Sequence, residues 1–149
     1  MEKRFLACAN LSERVKDNRV SIGVKSLFVT PTSVIKEENC PAIVMTYGDD
    51  EIQKFQQRGS IPTVNHSNIR MLRIEVHIIA PISVKIEDLF LNLRKFVFSD
   101  IYPIKLDNGE NDSSVRLFEL GSNGPYGYGN VPNMKVFDLF IGLQYPDYY

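Results

Sequence analysis

Residues 68–100 read NIRMLRIEVHIIAPISVKIEDLFLNLRKFVFSD, and their hydrophobic period changes partway along the segment. From Asn68 to Ala80 apolar and polar residues alternate, which predicts a strand with one face toward a core. Pro81 ends this strand, and Lys85–Asp100 then follows helical spacing. The segment therefore predicts a strand followed by an amphipathic helix that packs on the sheet.

The predicted strand and helix carry matching apolar faces, from which we expect the core to form. On the strand this face holds Leu72, Ile74, Val76 and Ile78. On the helix the apolar positions are Ile86, Leu89, Phe90, Leu93 and Val97. The opposite face of the strand carries a ladder of mixed charge, made of Arg73, Glu75 and His77. Such a ladder is either solvated or a polar contact between identical subunits.

The remaining elements are read from shorter patterns. Glu2–Lys16 is predicted as a helix, with an apolar stripe of Phe5, Leu6, Ala9 and Val15. Val20–Thr30 is predicted to be extended, and Ala42–Tyr47 is a strand apolar on both faces, as expected for a covered or central strand. The last two strands are predicted at Ser114–Leu120 and Met134–Tyr145, as antiparallel neighbours.

These elements predict a single α+β domain over residues 1–149. We expect a mostly antiparallel sheet of four to five strands with two helices packed on one face. A polar tract at Gly48–Ser67 is predicted to project as a loop or hairpin arm that orders on a partner. A glycine-rich turn is predicted at Gly121–Asn133, where Tyr126 and Tyr128 either pack locally or form a contact loop.

Composition excludes several classes of protein. The net charge of −1 argues against a dedicated nucleic-acid binder. No run of residues is long and apolar enough for a membrane span, and the first ten residues lack the apolar region of a signal peptide. The two cysteines, Cys8 and Cys40, have no metal-binding spacing, so we interpret them as reduced structural thiols.

No pattern indicates a catalytic, cofactor-binding or metal site, and we do not expect an enzyme. His66 and His77 are the two possible imidazole bases, and both are interpreted as solvated or rim residues. The acidic run at Asp107–Asp112 lacks the closing glutamate of a calcium loop. The GPYGYG segment precedes a strand, whereas a phosphate cradle precedes a helix.

The order of elements resembles the tail-terminator, or tail-completion, proteins of long-tailed bacteriophages. The resemblance lies in the N-terminal helix, PAIVM at Pro41–Met45, LRIEVHII at Leu72–Ile79, the helix at Lys85–Asp100 and FDLFIGLQY at Phe137–Tyr145. It implies a hexameric ring that caps the tail tube, ends its polymerisation and joins it to the head. The implied partners are other copies of this chain, the tail-tube protein and the head–tail connector protein.

The resemblance also implies a location at the tail end of the virion, with assembly in the host cytoplasm. DNA would pass through the ring without specific binding. The expected interface residues are Arg73, Glu75, His77, Asp49, Asp50, Phe55, Arg58, Tyr126 and Tyr128. Two alternatives stay open. One is a small-molecule-binding or enzymatic domain with a tyrosine-lined pocket between helix and sheet, and the other is a monomeric adaptor for a protein partner.

Overall fold

The computed structural model describes residues 3–31, 33–53, 68–98 and 115–147. The helices in these ranges are α1 (Lys3–Asp17), α2 (Arg19–Ile22) and α3 (Ile86–Val97), with a 3-10 turn at Glu37–Asn39. The strands are β1 (Ser26–Val29), β2 (Ala42–Gln53), β3 (Asn68–Pro81), β4 (Arg116–Gly127) and β5 (Met134–Asp147). The predicted α+β class is confirmed, with the short α2 in addition to the two expected helices.

The five strands form one sheet in the order β1-β2-β3-β5-β4. β1 runs parallel to β2, and the other neighbouring pairs are antiparallel. β3 and β5 pair along their whole length, from Asn68 opposite Asp147 to Pro81 opposite Met134. The prediction that the last two strands are antiparallel neighbours is confirmed, and β4 is an outer strand of the sheet.

The main core lies between the helices and one face of the sheet. Every residue of the two predicted apolar faces is buried in it, so this prediction is confirmed. β2 and β5 add further side chains to the same cluster, namely Ile43, Met45, Leu139, Ile141, Leu143 and Tyr145. Leu93, at the centre of α3, is fully buried. The apolar face produced by alternation on the strands therefore packs against the apolar face produced by helical spacing on α3, as expected from the two periods.

α1 packs on this core through a stripe that confirms the prediction at Val15 and differs from it at Ala9. Its buried residues are Ala7, Leu11 and Val15, whereas Ala9 is exposed. The side chains of Phe5 and Leu6 lie outside the described residues. Arg14 on the same helix is also buried, and its Nη1 donates a hydrogen bond to the carbonyl oxygen of Val97 at 3.0 Å. This bond satisfies a carbonyl at the end of α3, where the helix itself supplies no partner.

Tyr47 on β2 anchors α1 to the sheet. Its hydroxyl donates to the carbonyl oxygen of Cys8 at 3.1 Å and is hydrogen-bonded to the hydroxyl of Ser12. Burial raises the pKa of Tyr47 from its ordinary value of 10.0 to about 12. The folded protein therefore holds this proton more tightly than the unfolded chain does.

We expect this proton to make stability depend on pH in the alkaline range. Because the folded-state pKa is raised, the contribution is complete below pH 10.0 and is lost as the pH rises toward about 12. When unfolding by urea is measured at several alkaline pH values, the free energy of unfolding should fall less steeply with pH in Tyr47→Phe than in the wild type. Equal slopes in the two proteins would contradict the assignment to Tyr47.

Three segments differ from prediction because backbone pairing or capping overrides the local pattern. Arg19–Ile22 is helical, although Val20–Thr30 was expected to be extended, and the helix ends at Gly23 with a φ of 100° that favours glycine. β2 continues through Gly48–Gln53, so the first part of the predicted polar loop is strand, paired with β3. β4 continues through Gly127, so the predicted Gly121–Asn133 turn is strand over its first half.

A second, smaller apolar cluster lies on the sheet face away from the helices. Its buried members are Ile35, Ala42, Val44, Ile79, Met134 and Val136. The alternate residues of β2 thus enter two different cores, as expected for a strand apolar on both faces. Tyr128 and Val131, after the end of β4, pack against this second cluster and close one end of the sheet.

Candidate functional site

The sheet face away from the helices carries the polar ladder predicted from β3. Arg73, Glu75 and His77 lie opposite Gly142, Phe140 and Asp138 of β5, respectively. We call the sheet surface around Arg73, Glu75 and His77 the open face. Within the described residues no helix packs on it. The structure thus confirms that these three side chains share a face, and it places a mixed aromatic and charged surface beside them.

Aromatic rings and a cation lie side by side at the centre of the open face. The guanidinium carbon of Arg73 lies 5.9 Å from the centre of the Phe140 ring, within the range of a cation–π contact. Gly142 has no side chain, and Phe118 of β4 fills the space, since a Cβ there would lie 2.7 Å from the ring. Met71 also borders this space, at 3.1 Å from the same point. Arg73 is exposed, and the two aromatic rings are half-buried.

His77 was interpreted as a solvated or rim residue. It is not fully solvated, because it is partly exposed and belongs to a hydrogen-bonded cluster. Its Nδ1 lies 2.5 Å from Oδ1 of Asp138, and its side chain is only 24% exposed. The other carboxylate oxygen of Asp138 accepts a hydrogen bond from the Tyr126 hydroxyl at 2.6 Å. Asp138 is itself buried, so both of its oxygens find partners inside the protein.

Glu75 adds a second carboxylate to this cluster. Its Oε2 lies 3.5 Å from Nε2 of His77, so the imidazole lies between two acidic groups. Burial and the hydrogen bond to Asp138 raise the pKa of Tyr126 well above its usual range, so its hydroxyl stays protonated. The cluster therefore holds two carboxyl groups and one imidazole.

A cavity of about 350 Å³ opens on the same sheet face, next to the cluster. Its described lining combines aliphatic, tyrosine and glycine residues with one imidazole: Pro31, Ser33, Ile35, Val44, His77, Ile79, Tyr126, Gly127, Tyr128, Gly129 and Val136. This volume is at the lower end of the range found for ligand pockets. The alternative with a tyrosine-lined pocket placed it between helix and sheet, whereas the cavity lies on the opposite face.

The two tyrosines of the cavity are fixed by hydrogen bonds. The Tyr126 hydroxyl donates to Asp138, and the Tyr128 hydroxyl accepts from the backbone N–H of Ile35 at 2.9 Å. The second bond also fastens the segment after β1 over the sheet. Both rings therefore form walls whose positions are set before any ligand arrives.

Five of the nine predicted interface residues lie along this face and its cavity. These are Arg73, Glu75, His77, Tyr126 and Tyr128. Asp49 and Asp50 lie in β2, and their side chains are outside the described residues, as are Phe55 and Arg58 entirely. Sequence reasoning missed Asp138, which lies between Phe137 and Leu139 on β5 and is placed opposite His77 by the pairing of β5 with β3.

Within the described parts of the chain, no cluster of three or more histidine, cysteine, aspartate or glutamate residues is arranged to hold a metal ion. Neither Cys8 nor Cys40 forms a disulfide within the part of the chain that the structure describes. The polar groups of the cavity are one imidazole and hydroxyl groups among apolar walls, an arrangement suited to binding.

None of the described helices is both long and apolar enough to cross a membrane. A comparison with protein families and with curated proteins found no match to this chain.

Proposed function

We propose that this chain is a structural virion protein that assembles as a ring on the end of a phage tail tube. The ring would stop polymerisation of the tube and join it to the connector of the head. The proposal follows from the resemblance in the order of elements, and the α+β fold with helices on one face of the sheet is compatible with it.

The composition of the open face is the observation that carries the proposal. Protein interfaces are enriched in aromatic residues, methionine and arginine. Phe118, Phe140, Met71 and Arg73 gather on the open face, without cover from any described helix. Glu75 and His77 contact each other or Asp138 within the subunit, whereas Arg73 is exposed and its guanidinium lies over the Phe140 ring. We propose this face as the contact between neighbouring subunits.

The outer strand β4 offers a second contact in the ring. It is twelve residues long and largely exposed, and strands at a sheet edge are normally covered or paired. Its register with β5 shifts twice, between Glu119 and Gly121 and between Asn123 and Tyr126. Such bulges disfavour the repeated addition of strands that would build an open-ended fibre at this edge. They are compatible with one defined contact between neighbouring subunits, which is all that a closed ring requires.

The proposed partners beyond the ring are the tail-tube protein and the head–tail connector protein. DNA would pass through the ring, and the net charge of −1 suits a surface that does not hold it. The proposed locations are the tail end of the virion and, during assembly, the host cytoplasm.

Reversing the charge of Arg73 should weaken capping. When the protein is added to polymerising tail-tube protein, Arg73→Glu should require at least about tenfold more protein than the wild type to limit tube length, because a mispaired charge at the contact should cost about 1.4 kcal/mol or more. Lys95→Glu is the matched control, since Lys95 is exposed on α3, on the other side of the sheet. If Arg73→Glu limits tubes as well as Lys95→Glu does, the open face is not the contact.

A second candidate function is supported by a different observation. The tyrosine-lined cavity favours a small-molecule-binding domain, and the paired His77 and Asp138 at its side are the groups that an enzymatic version would use. The monomeric adaptor stays a third possibility. A protein that limits tube length at substoichiometric ratios would support the first candidate over both.

A further inference from the structure

We propose that the sheet-face cavity binds an organic cation on an aliphatic stem, the chemistry of an arginine or lysine side chain. This inference is independent of the tail-terminator proposal, because it concerns only what the cavity recognises. It combines three observations: the charge beside the cavity, its aromatic walls and its aliphatic floor.

The charge beside the cavity favours a cation over an anion. No lysine or arginine occurs among the described residues that line it. Two carboxyl groups, those of the buried Asp138 and of Glu75, flank the single imidazole of His77 beside the cavity. A carboxylate or phosphate would be repelled there, whereas a cation would be attracted.

The aromatic walls favour a cation over a neutral group. The faces of aromatic rings attract ammonium and guanidinium groups, more strongly where water is excluded. Tyr126 and Tyr128 both line the cavity, and the hydroxyl groups of both are already held by hydrogen bonds to other parts of the protein. Their rings are thus presented in fixed positions, which lowers the entropic cost of binding.

The aliphatic floor suits the stem of such a cation. Val44, Ile79 and Val136 form it, and all three are buried members of the second apolar cluster. Arginine and lysine side chains place their methylene groups on apolar surfaces while the charged head lies elsewhere. A stem on this floor would leave the head beside the tyrosines and the acidic cluster.

Matched ligands of one shape test the proposal. Titration of the protein with butylguanidinium, butylurea and pentanoate, followed by the ring signals of Tyr126 and Tyr128 in NMR spectra, compares a cation with a neutral isostere and an anion. We expect butylguanidinium to bind about tenfold more tightly than butylurea, and more weakly as salt is added. Pentanoate should not bind. Equal affinity for the cation and the urea would overturn the proposal, as would unchanged ring signals at millimolar ligand.

Three variants locate the binding. Tyr126→Phe keeps the ring but loses the hydrogen bond that holds it, so it should weaken butylguanidinium binding about twofold. Tyr126→Leu removes the ring itself and should weaken binding about fivefold. Ser33→Trp, at an exposed lining residue, should obstruct the cavity without disturbing the core. Binding that survives both Tyr126→Leu and Ser33→Trp lies elsewhere and overturns the proposal.

A peptide distinguishes the two sources of the cation. Acetyl-Gly-Arg-Gly-amide should bind more tightly than butylguanidinium if the natural occupant is a side chain of a protein partner. Tighter binding of butylguanidinium than of the peptide would assign the site to a free small cation. Either result supports the proposal that the cavity recognises an organic cation on an aliphatic stem. Tube capping is a separate readout: its loss in Arg73→Glu with normal ligand binding would show that the two sites are distinct.

Discussion

The substitution Leu93→Ala should lower the free energy of unfolding by about 2–5 kcal/mol. Leu93 is fully buried in the main core, between α3 and the central strands of the sheet. Its replacement removes buried methyl groups and leaves a cavity that the surrounding side chains fill only in part. Urea unfolding monitored by circular dichroism gives the change directly.

Leu91→Ala is the matched control on the same helix. Leu91 is 57% exposed, so the same change of residue type removes little buried surface. Its effect should stay within about 0.5 kcal/mol, as for most surface substitutions. Equal losses in the two variants would mean that helix propensity, and not core packing, sets the stability of α3.

The second large effect is expected at Asp138. Asp138→Ala should cost about 2–3 kcal/mol, because it removes a carboxylate that accepts hydrogen bonds from His77 and Tyr126 and leaves both donors without their partner. Asp88→Ala is the control, since the Asp88 side chain is 60% exposed and its contact with Lys85 is long, at 3.8 Å. Its cost should not exceed about 0.5 kcal/mol.

The Asp138 variant also has a structural readout. Without the carboxylate, the ring of Tyr126 loses the bond that fixes it, so its NMR signals should report a changed position. If stability and the Tyr126 ring are both unaffected, the cluster is solvated in solution and does not organise the open face. Either result is independent of the Leu93 measurement, because the two residues lie on opposite faces of the sheet.

The hydrophobic periods predicted the parts of the fold that depend on one segment at a time. The alternation in β3 and the stripe on α3 predicted which faces meet, and the structure buries the predicted residues. The α1 stripe was predicted less well, since Ala9 is exposed while Leu11 is buried. In that helix polar and apolar residues are mixed, so the sequence pattern alone did not select the buried face.

The parts that were missed depend on pairing between distant segments. Gly121–Gly127 has the composition of a turn, yet it pairs with β5 after one register shift and across a second, so the partner strand determines its structure. Asp138 resembles any solvent-facing polar residue of an alternating strand until the register places it opposite His77. Burial and two hydrogen bonds then distinguish it, and neither is visible in the sequence.

The cavity was missed for the same reason. Its lining comes from the segment after β1, from the three strands β2, β3 and β5, and from the end of β4 and the residues that follow it. Tyr126 and Tyr128 were singled out as residues that could make contacts, but their position over the sheet face follows from the bonds to Asp138 and Ile35. Long-range contacts of this kind have no local periodicity from which to predict them.

Electron cryomicroscopy of tube ends tests the central claim most directly. The cognate tail-tube protein is polymerised with and without this chain, and the ends of the tubes are imaged and averaged. The account predicts tubes of limited length, with a ring of this chain as additional density at one end. Tubes that lengthen without limit and end without added density would contradict the tail-terminator function.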